Sequence, residues 1–341
     1  MTPEARVRAI EELRVPDGVS PHGFAVFTPR QAAFLVLVMV HSGVCLRRQY
    51  AGFAGIVYGQ ATKDFFKRLV RTKLVSGYTA ADQRARVYHV RGKSLYQAVG
   101  EPDNRNRKPI TLARAIERLM ILDAVLADRT LQWLGTESEK VEYFARVTRL
   151  HPSELPLLKF GDASDQTVRW FPYKLPIGIT GDGRTHVFLY LVTRKSPVDF
   201  RAFLQRHSEL FRALPEWELR VLVPRHFNRT GSVFGSAAME ELARPLGLGA
   251  RDELSWYFRE RQRLETGGAA EDVSRLEECA REFRAPRFRS LYRLWKKEGD
   301  GLVYATVSRI LGDAIQRRTG RVVIHVLPHL YQHLAPLVGT A

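Results

Sequence analysis

From Gln60 onward the apolar residues Phe65, Phe66, Leu69, Val70 and Leu74 recur at steps of three and four, which predicts one helix with a single apolar stripe. Lys63, Lys67, Arg68 and Arg71 fall on its other faces. Directly after it, Leu74 to Tyr78 and Arg86 to Val90 read as two short strands joined by the polar stretch 79–84. Upstream, Thr28 followed by Pro29 marks a helix start, since the hydroxyl can cap free amides and proline at the first helical position sacrifices no hydrogen bond. That helix runs to about Ser42 and stops at Gly43, and a short second one covers Arg47 to Phe53, with Gly55 and Gly59 permitting a turn.

Three helices followed by a hairpin, in this order, predict a winged helix-turn-helix, whose third helix enters the major groove of duplex DNA while the wing touches the backbone or minor groove. The charge agrees with that reading. Residues 1–109 carry 18 Lys and Arg against 8 Asp and Glu, whereas 110–230 carry 18 against 14 and 231–341 carry 17 against 14. Within residues 44–93 eleven basic residues face only Asp64 and Asp82, and such clustering points to a polyanion as partner. Gln60, Thr62 and Lys63 are the candidates for base edges, Lys67, Arg68 and Arg71 for phosphates, and Arg84 and Arg86 for the wing contact.

The polar segment Glu101 to Pro109 (EPDNRNRKP) is the expected domain boundary. The divisions predicted are a winged-helix domain over 1–100, a linker over 101–109, an α/β domain over 110–235 and a mainly helical region over 236–341. In the second of these domains, apolar positions nearly encircle the helix from Thr111 to Ala127, as fits a buried helix or a seam between two copies of the chain. Strands are expected at Val168 to Tyr173, Val187 to Val192 and Leu219 to Val223, with a helix from Pro197 to Leu214 between the last two, hence parallel pairing and an α/β fold. A restriction-endonuclease-like site would need carboxylates near Pro176 and in the stretch 193–195 to hold its metal. The chain offers Pro176-Ile177-Gly178 and Thr193-Arg194-Lys195 instead, so the domain reads as a degenerate nuclease scaffold; Asp182 and Lys195 are the residues an enzymatic alternative would have to use.

In its features at Phe27-Thr28-Pro29-Arg30-Gln31, at Phe66-Lys67-Arg68-Leu69-Val70 leading into Leu74-Val75, at Val87-Tyr88-His89-Val90 and in the strand-helix-strand of 187–223, the chain resembles the replication-relaxation family of plasmid and integrative-element proteins over residues 25–225. The resemblance implies a DNA-binding protein of a mobile element, concerned with replication, transfer or their regulation. The alternatives are a metal-dependent nuclease or relaxation enzyme with a diverged site, and a protein-interaction scaffold.

Arginines and aromatics interleave over 251–298 and can form either a second nucleic-acid surface or ordinary core. His325, His329 and His333 are spaced by four, but Pro328 and a strand-like run from Arg321 to Leu327 keep them off one helix. No nucleotide loop, metal site or cofactor is expected. The two cysteines, Cys45 and Cys279, are far apart in sequence and suggest no disulfide framework; with no apolar run of membrane length, the expected setting is the cytoplasm. Double-stranded DNA is the expected partner, and a second copy of the chain a further one.

Overall fold

The computed structural model describes residues 1–16, 23–79, 86–161, 167–243, 248–284, 286–301, 303, 309–331 and 334. The chain opens with α1 (Pro3–Glu11) and a small ribbon of β1 (Val15–Pro16) and β2 (Phe24–Ala25). Next come α2 (Pro29–His41), β3 (Val44–Cys45), α3 (Arg47–Ala54), α4 (Gln60–Arg71), β4 (Val75–Thr79), β5 (Arg86–Val90) and α5 (Lys93–Ala98). The three strands pair antiparallel in the order β3-β5-β4.

Two of these helix ends have a plain local cause. The Thr28 side chain accepts from the Gln31 amide while the Gln31 side chain accepts from the Thr28 amide, so two otherwise orphaned donors at the start of α2 are satisfied reciprocally. Gly55 ends α3 with φ +62°. What holds the three helices together is a chain of buried rings, Phe34 to Tyr50 (5.2 Å between centroids), Tyr50 to Phe65 (4.5 Å), Phe65 to Phe66 (5.3 Å) and Phe66 to Tyr88 (4.4 Å).

The segment 101–109 is no free linker. Asn106 is 2% exposed, and its Nδ2 donates to the carbonyls of Met39 (2.8 Å) and Val40 (3.1 Å) at the end of α2, while its own carbonyl lies 2.8 Å from His89 Nε2. Gly43, at φ +76°, allows this approach: a Cβ there would sit 2.4 Å from the Asn106 carbonyl oxygen. Gly43→Ala combines a left-handed backbone with that clash and should cost about 2–4 kcal/mol in urea unfolding; a loss under about 1 kcal/mol would show that the connector yields.

Beyond it lie α6 (Leu112–Ala127), β6 (Gln132–Leu134), α7 (Glu137–Thr148), β7 (Leu157–Phe160), β8 (Thr167–Trp170), β9 (Ile177–Ile179), β10 (Thr185–Leu191), α8 (Val198–Ala213), β11 (Glu216–Val223), α9 (Gly231–Ala243), α10 (Leu248–Glu265), α11 (Val273–Glu282), α12 (Pro286–Glu298), a helix over Arg309–Gln316 and β12 (Gly320–Val326). The main sheet has the order β12-β11-β10-β9-β6; β10, β11 and β12 run parallel, and β9 and β6 complete it antiparallel. The fold is therefore mixed α/β. One expectation needs correction. The segment around Val168 to Tyr173 supplies β8, which among the described residues pairs with β7 alone, in a ribbon outside this sheet. Within the mainly helical region 236–341, β12 forms an edge of the sheet that starts in the preceding domain, and α10 to α12 build a core of their own around Phe258, Phe283, Tyr292 and Trp295.

Helix α6 joins the two halves. Its Ala115, Ile116, Leu119 and Met120 pack with Val44, Leu46 and Val87 of the first unit and with Val187, Leu189, Leu191 and Leu222 of the sheet, while Leu122 belongs to the first unit's own core. The apolar surface that suggested a seam between copies is thus covered within one chain.

Candidate nucleic-acid interface

Helix α4 packs inward on α3 and β4. Phe65, Phe66 and Leu69 are buried there, and Gln60, Lys63, Asp64, Lys67 and Arg71 are exposed. At 100° per residue Lys63, Lys67 and Arg71, spaced by four, form one stripe opposite the buried side. Asp64 is the only acid on the helix, and its Oδ1 accepts from Gln60 Nε2 at 2.7 Å. The outer face is therefore open and cationic.

The structure moves two of the predicted contacts off this face. Thr62 is wholly buried, so it cannot reach a base edge; its place in the first turn is on the core side, three, four and seven residues before Phe65, Phe66 and Leu69. Arg68 is half-buried, donates from Nη2 to Gln31 Oε1 at 2.6 Å and lies 5.7 Å from the Phe27 ring centroid and 5.8 Å from that of Phe65. It ties α4 to the start of α2, so part of its guanidinium is already engaged within the fold. Arg86 is exposed at the first residue of β5; Arg84 lies outside the described residues.

Further groups share the neighbourhood. Lys73 is exposed in the turn between α4 and β4, and Arg91 is exposed just past β5, with Nη1 3.5 Å from the Tyr78 hydroxyl. Val57 and Tyr58 stand 89% and 54% exposed immediately before α4. Their position between Gly55 and Gly59 marked a turn in the sequence but not its exposure.

The enzymatic alternative fares differently. Asp182 sits in the turn between β9 and β10, where its Oδ1 accepts from Thr180 Oγ1 (2.6 Å) and the Arg184 amide (3.1 Å), bonds that hold its carboxyl below the usual range. Lys195 follows the opposite end of β10. A strand rising about 3.3 Å per residue separates them by roughly 20 Å, too far to share a metal or a water. Among the described residues no group of three or more His, Cys, Asp or Glu is placed to hold a metal ion; His333 is not among those residues.

Several cations of the arginine-rich helices α10 to α12 are paired with acids of the same region. Arg261 pairs with Glu265, Arg263 with Glu260 and Glu271, Arg275 with Glu253, and Lys296 with Glu265, while Phe258, Tyr292 and Trp295 are core. No described helix is long and apolar enough to cross a membrane.

No protein-family model, no curated protein and no solved structure matches the chain.

Proposed function

We propose that residues 28–90 are a winged helix-turn-helix that binds duplex DNA, with α4 in the major groove and the β4–β5 hairpin against the backbone, and that the protein is a regulator or accessory factor of mobile-element replication or transfer. The observation that carries the DNA reading is the exposed Gln60, Lys63, Lys67 stripe on a helix whose opposite side alone is packed. The order helix, strand, helix, helix, strand, strand with sheet order β3-β5-β4 supports the same reading, because it leaves the third helix and the hairpin side by side on the surface. The mobile-element role rests on the resemblance over residues 25–225.

Selection of bound sequences from a random duplex pool at physiological salt is the direct test. The wild type should enrich a defined site, and Gln60→Ala with Lys63→Ala should abolish that enrichment while Lys195→Ala leaves it intact. Equal enrichment by wild type and the Gln60/Lys63 variant would remove α4 as the reading helix.

A further inference from the structure

We propose that the cleft between the two halves of the molecule is a binding site for a small phosphorylated ligand of nucleotide size, a site separate from the DNA face. The cleft encloses about 410 Å³ and is walled by the connector, by α6, by the segment 172–175 and by the carboxyl end of β10 with the first turns of α8. The cleft opens beyond the carboxyl end of β10, the end of the strands at which open α/β sheets place their ligands. The volume suits a nucleotide and is far too small for a duplex.

Its lining carries an uncompensated charge. Arg105, Arg114, Arg118, Lys174 and Arg206 face it, with Glu117 and Asp199 as the acids. Glu117 is already paired with Arg114, and Asp199 lies 3.7 Å from Arg194. Arg105 and Arg118 are held by carbonyls rather than carboxylates: Arg105 Nη2 donates to Lys174 O at 2.9 Å, and Arg118 Nη1 donates to Ser42 O at 3.2 Å. Burial, reinforced by Arg118 and Arg114, pulls the Arg105 guanidinium down to about 9, and burial together with Arg105 lowers Lys174. Cations crowded together by the fold in this way cost stability until an anion enters, and phosphoryl oxygens are the acceptors that guanidinium forks match.

One further feature fits a ligand with an organic part. Arg206 donates to the Tyr173 hydroxyl and lies 5.5 Å from that ring's centroid, so an aromatic wall adjoins the cations. His41, 7% exposed, also borders the cleft, and burial keeps its ring neutral with a pKa of about 3, so it adds no charge to the repulsion.

The inference does not depend on the DNA reading, and the test keeps them apart. Inorganic pyrophosphate and ADP are titrated into the full chain, with sodium chloride of matched ionic strength as control, and thermal midpoints are recorded. At a hundredfold excess over Kd a rise of roughly 5 °C is expected from at least one of the two anions. Arg114→Ala with Arg206→Ala should melt no lower than wild type without anion, show no anion-dependent rise, and bind duplex DNA unchanged; the exposed single variant Arg114→Gln should weaken the rise. A chloride control that reproduces the rise, an equal rise in the double variant, or a double variant that loses DNA affinity while neither anion has any effect would each overturn the proposal. Loss of DNA binding on changing Lys63, with the anion effect intact, bears on the DNA reading alone.

Discussion

Reversing Lys63 and Lys67 to glutamate should weaken duplex binding about a hundredfold, roughly 2.8 kcal/mol, with an unchanged melting temperature. Both side chains are exposed on the open face of α4, and neither has a resolved ion pair to lose. Each cation that neutralises a phosphate releases counterions, so removing two should also flatten the dependence of log K on log salt by about two units. Anisotropy titrations on one mixed-sequence duplex at several salt concentrations measure both quantities. A double reversal that leaves affinity and salt slope unchanged would place DNA elsewhere or nowhere on the molecule. Arg68→Ala is the contrasting variant: with its guanidinium bonded to Gln31, it should lower stability before it touches the salt slope.

The second large effect concerns acid. His41 and His207 are 7% and 3% exposed, and burial, with Lys140 close to both, holds each at about 3. Their folded pKa values lie below the unfolded value near 6.5, so between pH 6.5 and pH 3 the unfolded chain binds more protons and stability falls as pH falls. Each histidine contributes up to about 5 kcal/mol across that window, which together approach the whole stability of an ordinary domain. Acid unfolding is therefore expected near pH 4 to 5. His207 stacks on Phe203 at 4.0 Å within an aromatic cage, so His207→Phe preserves the packing while removing one titrating group. Urea midpoints from pH 7.5 down to pH 4 should show about half the wild-type slope in that variant; identical slopes would mean His207 is already accessible to protons.

How much of this could be read from residues alone depends on the range of the interaction. The span of α4 and its exposed cations follow from local periodicity, and α4 begins at Gln60 in the structure. Thr62 was legible too, since it stands three and four residues before Phe65 and Phe66, yet its place in the first turn suggested an outward role. Arg68 was not: its partner Gln31 lies 37 residues away. Strands β6 and β9 are three residues each, too short to show alternation, and β9 contains Gly178. The strand character of β8 is local, but its exclusion from the main sheet is a tertiary fact. A polar stretch such as 101–109 reads as solvent-facing until the carbonyls of Met39 and Val40 are seen to need donors, which Asn106 supplies. The cationic cleft was invisible for the same reason, as its arginines come from segments some hundred residues apart.

Because α6 packs simultaneously on Val44, Leu46 and Val87 and on the strands of the sheet, the first unit and the sheet share one helix as a common wall. Cutting the chain at residue 100 would strip that wall away and leave those three side chains wet. The amino-terminal third therefore should not fold as well alone as it does with α6 attached.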